Sequence, residues 1–195
     1  ISLVGSEMCI RDRFTDLEIW SSSRPPISES ISVTKAASFA RQFYSDLYFV
    51  HIGSARALDT ILQQRQMRRT NGSLYIETCP HYLTHSTDFA NIVGKVVPPI
   101  RSKSDLNHLW SALFEGQIDT IGTDHVANRY ATKVGNGDIW SALAGFPGLA
   151  TMIPVLLSYG VNQHRINLKR VAEVTSYNTS RIFGLYPRKG TIRPG

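Results

Sequence analysis

The sequence predicts an α/β protein built on parallel strands. Three observations predict it. Short apolar runs alternate with segments of helical period, giving the order strand, helix, strand, helix, strand. The stretches between runs are long enough for the right-handed crossovers that parallel strands require. The histidines and acids with metal-ligand chemistry stand at the ends of the runs, where parallel α/β folds build their sites.

The elements follow in order. Residues Ile1 to Arg13 have no period of 2 or 3.6 and do not begin with Met. The string SLVGSEMCIRDR resembles translated adaptor sequence, so 1–13 is expected to be a non-native leader. From Ser32, the positions Val33, Ala36, Ala40, Phe43 and Tyr44 share one helix face. Leu47 to Ile52 is an apolar run suited to a strand buried on both faces. Leu58, Ile61 and Leu62 mark the next helix, and Asn71-Gly72 ends it, both residues tolerating a left-handed backbone. Leu74 to Glu77 is the second strand. A third helix carries Leu106, Leu109, Trp110 and Leu113, with Ser102 and Asp105 spaced as a capping box. Gln117-Ile118-Asp119 leads into a third strand, Thr120 to Gly122. A loop-like stretch from Val126 to Pro147 follows. Helical period returns at Leu149, Met152, Ile153, Leu156 and Leu157, and a last helix is capped by Asn167 and runs through Leu168 and Val171.

Composition narrows the function classes. Of 195 residues, 42% are hydrophobic and 18% charged, the balance of a globular domain rather than a disordered chain. No apolar run approaches the roughly 20 residues of a membrane span; Leu149 to Leu157 is short and broken by Pro154. There is no secretory pattern, and two cysteines make no disulfide framework, so a cytoplasmic protein is expected. The net charge of +6 is scattered, with only short clusters such as Arg68-Arg69 and Arg188-Lys189, and no nucleic-acid partner is expected.

Three places carry candidate chemistry: His51 at the end of the first strand, Cys79-Pro80-His81 after the second, and Asp124-His125 after the third. In a barrel all would face one rim. Imidazole and carboxylate are ligands for zinc and related divalent ions, and a carboxylate beside a metal-bound water can carry its proton to a leaving nitrogen. Each residue also has a plainer reading. A strand-end His serves as readily as a hydrogen-bonded structural residue, and Asp124 could cap the segment after it. His81 and His85 have the i,i+4 spacing of a helical metal pair, against which Pro80 speaks; Cys79 reads as a packed thiol. No phosphate-binding loop is present.

Several stretches together resemble the dihydropyrimidinase/hydantoinase branch of the amidohydrolase superfamily. They are Arg24-Pro-Pro-Ile-Ser-Glu29, Phe49-Val-His-Ile52, Glu77-Thr-Cys-Pro-His-Tyr-Leu83, Val97-Pro-Pro-Ile-Arg101, Ile121-Gly-Thr-Asp-His125, Gly145-Phe-Pro-Gly148 and Arg181-Ile-Phe-Gly-Leu-Tyr-Pro-Arg-Lys-Gly-Thr-Ile192. They occur in the family's order, and ETCPHYL and IFGLYPRKGTI are specific.

The resemblance implies part of a (β/α)8 TIM-like metallo-dependent hydrolase barrel, about strands 6 to 8 with their helices, with 14–195 the C-terminal half of the catalytic domain. Three βα units cannot close such a barrel, which takes about 250 residues. It implies hydrolysis of a cyclic amide C–N bond, with dihydropyrimidine or hydantoin ring opening, and two divalent ions, zinc as a rule, per complete site. His51 would bind the more exposed metal. Asp124 would bind the buried one and shuttle the proton. Val97 and Ala144 stand where the family reads the substrate ring through main-chain groups.

There is no His-x-His pair, no strand-five His and no lysine in the context of the family's carboxylated bridge; Lys95 lies in the wrong segment. Those ligands would precede Phe14, so the chain alone is expected to be an inactive part of a homo-oligomeric enzyme. Allantoin and dihydroorotate are rival substrates, although Val126-Ala127-Asn128 lacks the extra His of dihydroorotase-like members. Non-catalytic relatives that act as binding proteins are the other class; they tend to lose the ligands retained here.

Overall fold

The computed structural model describes residues 16–67, 72–89 and 91–194. The expected leader, the Arg68-Arg69 cluster and Asn71 lie outside them. Helix α1 is Leu17–Ser23 and α2 is Pro26–Gln42, followed by β1, Leu47–Phe49, and α3, Ala55–Met67. Strand β2 is Leu74–Thr78, α4 Pro80–Thr84, α5 Lys103–Phe114 and β3 Thr120–Ile121. Three further helices follow: α6, Tyr130–Val134; α7, Met152–Val155, which continues as a π-helix through Val161; and α8, Leu168–Ala172. A second π-helical stretch, Glu173–Tyr177, joins α8 to α9, Asn178–Ile182.

The strands pair in parallel in the order β1-β2-β3, with Leu47 opposite Leu74 and Glu77 opposite Thr120. Helices α3 and α5 close the crossovers. Their inward residues, Leu58 and Ile61 from α3 with Leu109 and Leu113 from α5, are buried against Ile76 and Ile118. Each such side chain contributes about 1.5–3 kcal/mol of burial. The capping box at Ser102 and Asp105 forms as its spacing predicts, and Asp105 also accepts from the Ala55 N–H at 2.9 Å, so one carboxylate serves two helix starts.

Two sequence motifs meet in a buried ion pair. Arg101, last of Val97-Pro-Pro-Ile-Arg101, clasps Glu29, last of Arg24-Pro-Pro-Ile-Ser-Glu29. Arg101 also donates to the Ser21 carbonyl and hydroxyl at 3.1 Å, and Ser54 donates to Glu29 at 2.9 Å. Four segments distant in sequence are thereby tied at one point.

The structure corrects several local expectations. Helix α1, set by the Asp16 cap, was not legible as apolar period. The inward face of α2 is Ser30, Val33, Ala37 and Ala40. Phe43 and Tyr44 lie past the helix end and are exposed, because the chain turns at Tyr44 with φ +55°. The first strand stops at Phe49, since the backbone leaves the ladder before His51. The stretch 126–147 contains α6. Of the apolar residues read onto α7, Leu156 is fully buried whereas Leu149 is exposed, because Leu149 lies in the turn before the helix begins at Met152. Asn167 does cap α8, accepting from the Arg170 N–H at 2.8 Å.

Candidate active site at the strand ends

β1 is carried past its last paired residue by two bonds to β2: Ile52 N–H donates to the Glu77 carbonyl at 2.8 Å, and Thr78 Oγ1 donates to the Ile52 carbonyl at 2.7 Å. His51, just before this anchored Ile52, has φ +45°, and Asp124, beyond β3, has φ +44°. A positive φ in a residue with a Cβ is uncommon and costs on the order of 1–3 kcal/mol, so it persists where the surroundings impose it. Two of the four such residues among those described are therefore the two expected ligands. Glycine lets the neighbouring backbone approach closely. A Cβ on Gly53 would sit 2.6 Å from the Tyr82 ring, and one on Gly122 would fall inside the Glu77 carboxylate.

Cys79, His81 and Asp124 converge, each offering a ligand atom within 4.8 Å of the others. His81 is buried in α4, its ring stacked on Phe146 at 5.1 Å and 8°. Burial first, then the nearby His85, His51 and Lys133, brings its pKa down to about 3, so it is a neutral imidazole at neutral pH, the form that ligates. Burial pushes the Cys79 thiol well up, helped by Glu77 and Asp124, as suits a packed thiol. His51 stands outside this trio, yet it acts electrostatically on His81. Two buried nitrogens, His51 Nδ1 and His81 Nε2, have no hydrogen-bond partner among the described residues. Orphaned imidazole nitrogens beside a carboxylate fit a divalent cation, which would supply the missing partner. His85, in contrast, bonds Thr84, packs its ring on Phe89 and Phe146, and is not part of the trio.

Val97 and Ala144 lie on adjoining segments. Val97 is 52% exposed, and Gly145 N–H donates to the Lys95 carbonyl at 2.9 Å, fastening the two stretches together. The loop also leans on the rim: Val126 N–H donates to the Phe146 carbonyl at 2.8 Å and Leu149 N–H to His125 Nδ1 at 3.2 Å. Lys95 is buried, its ammonium donating to the Trp140 and Ala142 carbonyls at 3.2 and 2.6 Å and lying over the Trp20 ring.

Sequence reasoning missed Lys133, whose ammonium donates to the carbonyls of Lys95, Leu143 and Gly145 at 2.8, 2.7 and 2.8 Å. Its partners are backbone oxygens, which leave no residue-type signal. It also missed Phe146 as the partner of His81. A separate hollow of about 620 Å³, lined by Pro25, Ile27, Asp59 and Asp105 among others, contains none of these residues.

Comparison with known proteins gives the family and the fold. The amidohydrolase family model matches residues 60–195. The L-hydantoinase of Paenarthrobacter aurescens is 33% identical over 92% of this chain and 40% of its own length. The allantoinase of Solibacter usitatus is 34% identical over 89% of this chain and 37% of its own. The structure of the L-hydantoinase (dihydropyrimidinase) from Arthrobacter aurescens superposes with a TM-score of 0.91 at 31% identity, over 99% of this chain and 43% of that one. Such structural neighbours are TIM-barrel amidohydrolases, and this chain spans about 40% of the length of the curated relatives it matches. With its parallel strands, the family model that matches it and these relatives, the chain belongs to the amidohydrolase family.

Proposed function

We propose that the whole protein opens a cyclic amide ring, a dihydropyrimidine or a hydantoin, by metal-dependent hydrolysis, and that this chain supplies the end of the barrel holding His51 and Asp124. The observation that carries the reading is the strand-end cluster. Two strained positions place an imidazole and a carboxylate at one rim, beside buried nitrogens that lack partners. A bound divalent ion, zinc in the reading preferred here, would polarise the ring carbonyl and activate water. Asp124 would take the water's proton and return it to the leaving ring nitrogen, so that C–N cleavage releases an open-chain product. His51 and Asp124 would hold metal, and the main chain at Val97 and Ala144 would orient the ring. Names of relatives that include both hydantoinase and allantoinase support the cyclic-amide class and leave allantoin, a ureido-substituted hydantoin, as the nearest competitor.

The test is ring opening by the whole, metal-loaded protein of hydantoin, dihydrouracil and allantoin, before and after chelation. Turnover of hydantoin or dihydrouracil that chelation removes and zinc restores bears the proposal out. A metal-loaded protein that opens none of the three rings overturns it, and preference for allantoin moves the substrate within the class.

A further inference from the structure

The loop carrying Ala144 is held by ammonium groups as well as by apolar packing. Lys133 has three N–H donors, and three carbonyls converge on it at 2.7–2.8 Å from two segments. One of them, Leu143 O, shares a peptide plane with the Ala144 N–H. Because a trans peptide is planar, fixing that carbonyl on Lys133 aims the Ala144 N–H the opposite way. Gly145 O, on the other side of Ala144, is fixed by the same ammonium. The Val97 amide is set in the same manner. Trp20 Nε1 donates to the Val96 carbonyl at 2.9 Å, which fixes the plane containing the Val97 N–H. Lys95, whose carbonyl is the third acceptor on Lys133, lays its own ammonium over that Trp20 ring at 4.2 Å, joining the two devices.

We propose that Lys133, with Trp20 as its counterpart, is a positioning residue that aims the Ala144 and Val97 amides at the substrate ring; the proposal rests on the cyclic-amide reading above. Neither side chain reaches the ring. Each works through a carbonyl on the far side of a peptide plane. Specificity for ring shape then depends on side chains that hold backbone carbonyls, so the side chains of Val97 and Ala144 need not touch the ring.

The experiment compares wild type, Lys133→Met, Trp20→Phe, and Lys133→Cys before and after alkylation with 2-bromoethylamine, which rebuilds an ammonium at the same reach. Each is read for hydantoin and dihydrouracil kinetics, bound metal, and amide hydrogen exchange over 142–148. Expected for Lys133→Met is exchange of the Gly145 amide at least about tenfold faster and kcat/KM down about 100-fold, the scale of an ångström-sized misplacement, with metal content unchanged. Trp20→Phe, which keeps the ring packing and loses only the donor, is expected to show the same signs at lower amplitude, and alkylation is expected to restore the Cys variant. Unchanged kcat/KM in Lys133→Met despite faster exchange would overturn the positioning role. So would a loss that alkylation leaves in place while the exchange recovers. If wild type itself opens no ring, the cyclic-amide reading is what has failed. The substrate half of this proposal falls with it, and the exchange data alone report whether Lys133 holds the loop.

Discussion

The rim of the sheet and the loop leaning over it hold their polar groups in opposite ways. At the rim, side chains are presented by backbone: β-strand ends and two positive-φ positions project His51 and Asp124. In the loop, backbone is presented by side chains, the Lys95 and Lys133 ammoniums between them binding five carbonyls of residues 95–145. The difference teaches where a site can drift and where it cannot. Ligand positions demand particular side chains. A main-chain reader demands only that something hold the peptide planes.

The comparison breaks most visibly where a buried charge loses its partner. Arg101 and Glu29 link α1, α2 and the start of α3 beneath the rim, with side chains 3% and 13% exposed. Glu29→Ala strands the guanidinium and is expected to cost about 3–5 kcal/mol in urea unfolding. A loss below about 1 kcal/mol would mean that Arg101 reaches solvent and that the two motifs are not a structural unit.

A pH series sharpens the loop side. Burial, with the Lys95 ammonium beside it, brings Lys133 down from 10.5 to about 8. The folded value lies below the unfolded one, so from about pH 8 to 10.5 the unfolded chain binds more protons and this group's contribution to stability rises with pH. Below about 8 both states hold the proton and the contribution is flat. The gap in urea midpoint between wild type and Lys133→Met should therefore widen from pH 7.5 to 9.5. Over the same range the neutral amine has two donors for three carbonyls, and exchange at 143–145, corrected for intrinsic rate, should quicken. A gap that narrows with pH contradicts this account of Lys133.

The smallest effect is at a helix start that serves the core and neither site. Ser102→Ala removes one half of the α5 capping box and should cost about 1 kcal/mol, with rim and loop unchanged by amide exchange.

Legibility divided along the same line. The three strands, α3, α5 and its cap were readable because buried apolar spacing and capping chemistry are local. The places of His51 and Asp124 past strand ends were readable; their roles, and those of Val97 and Ala144, belong to the proposal. The rim shared by Cys79, His81 and Asp124 was readable from their strand ends, but their approach to within 4.8 Å was not, because it depends on the parallel register. Lys133 was invisible for a different reason: its partners are peptide oxygens, which every residue possesses. The exposed Phe43 and Tyr44 misled because apolar spacing continued past the point where the backbone turned.

The central claim is that His51 and Asp124 hold metal at one rim. The most direct measurement is metal content of the whole protein as His51→Ala and Asp124→Asn, set beside their thermal unfolding. The account predicts substoichiometric metal in both, with an unfolding transition close to that of the metal-free wild type, since Ala and Asn keep the Cβ and leave the backbone at each position as it is. Full metal occupancy in either variant would contradict it.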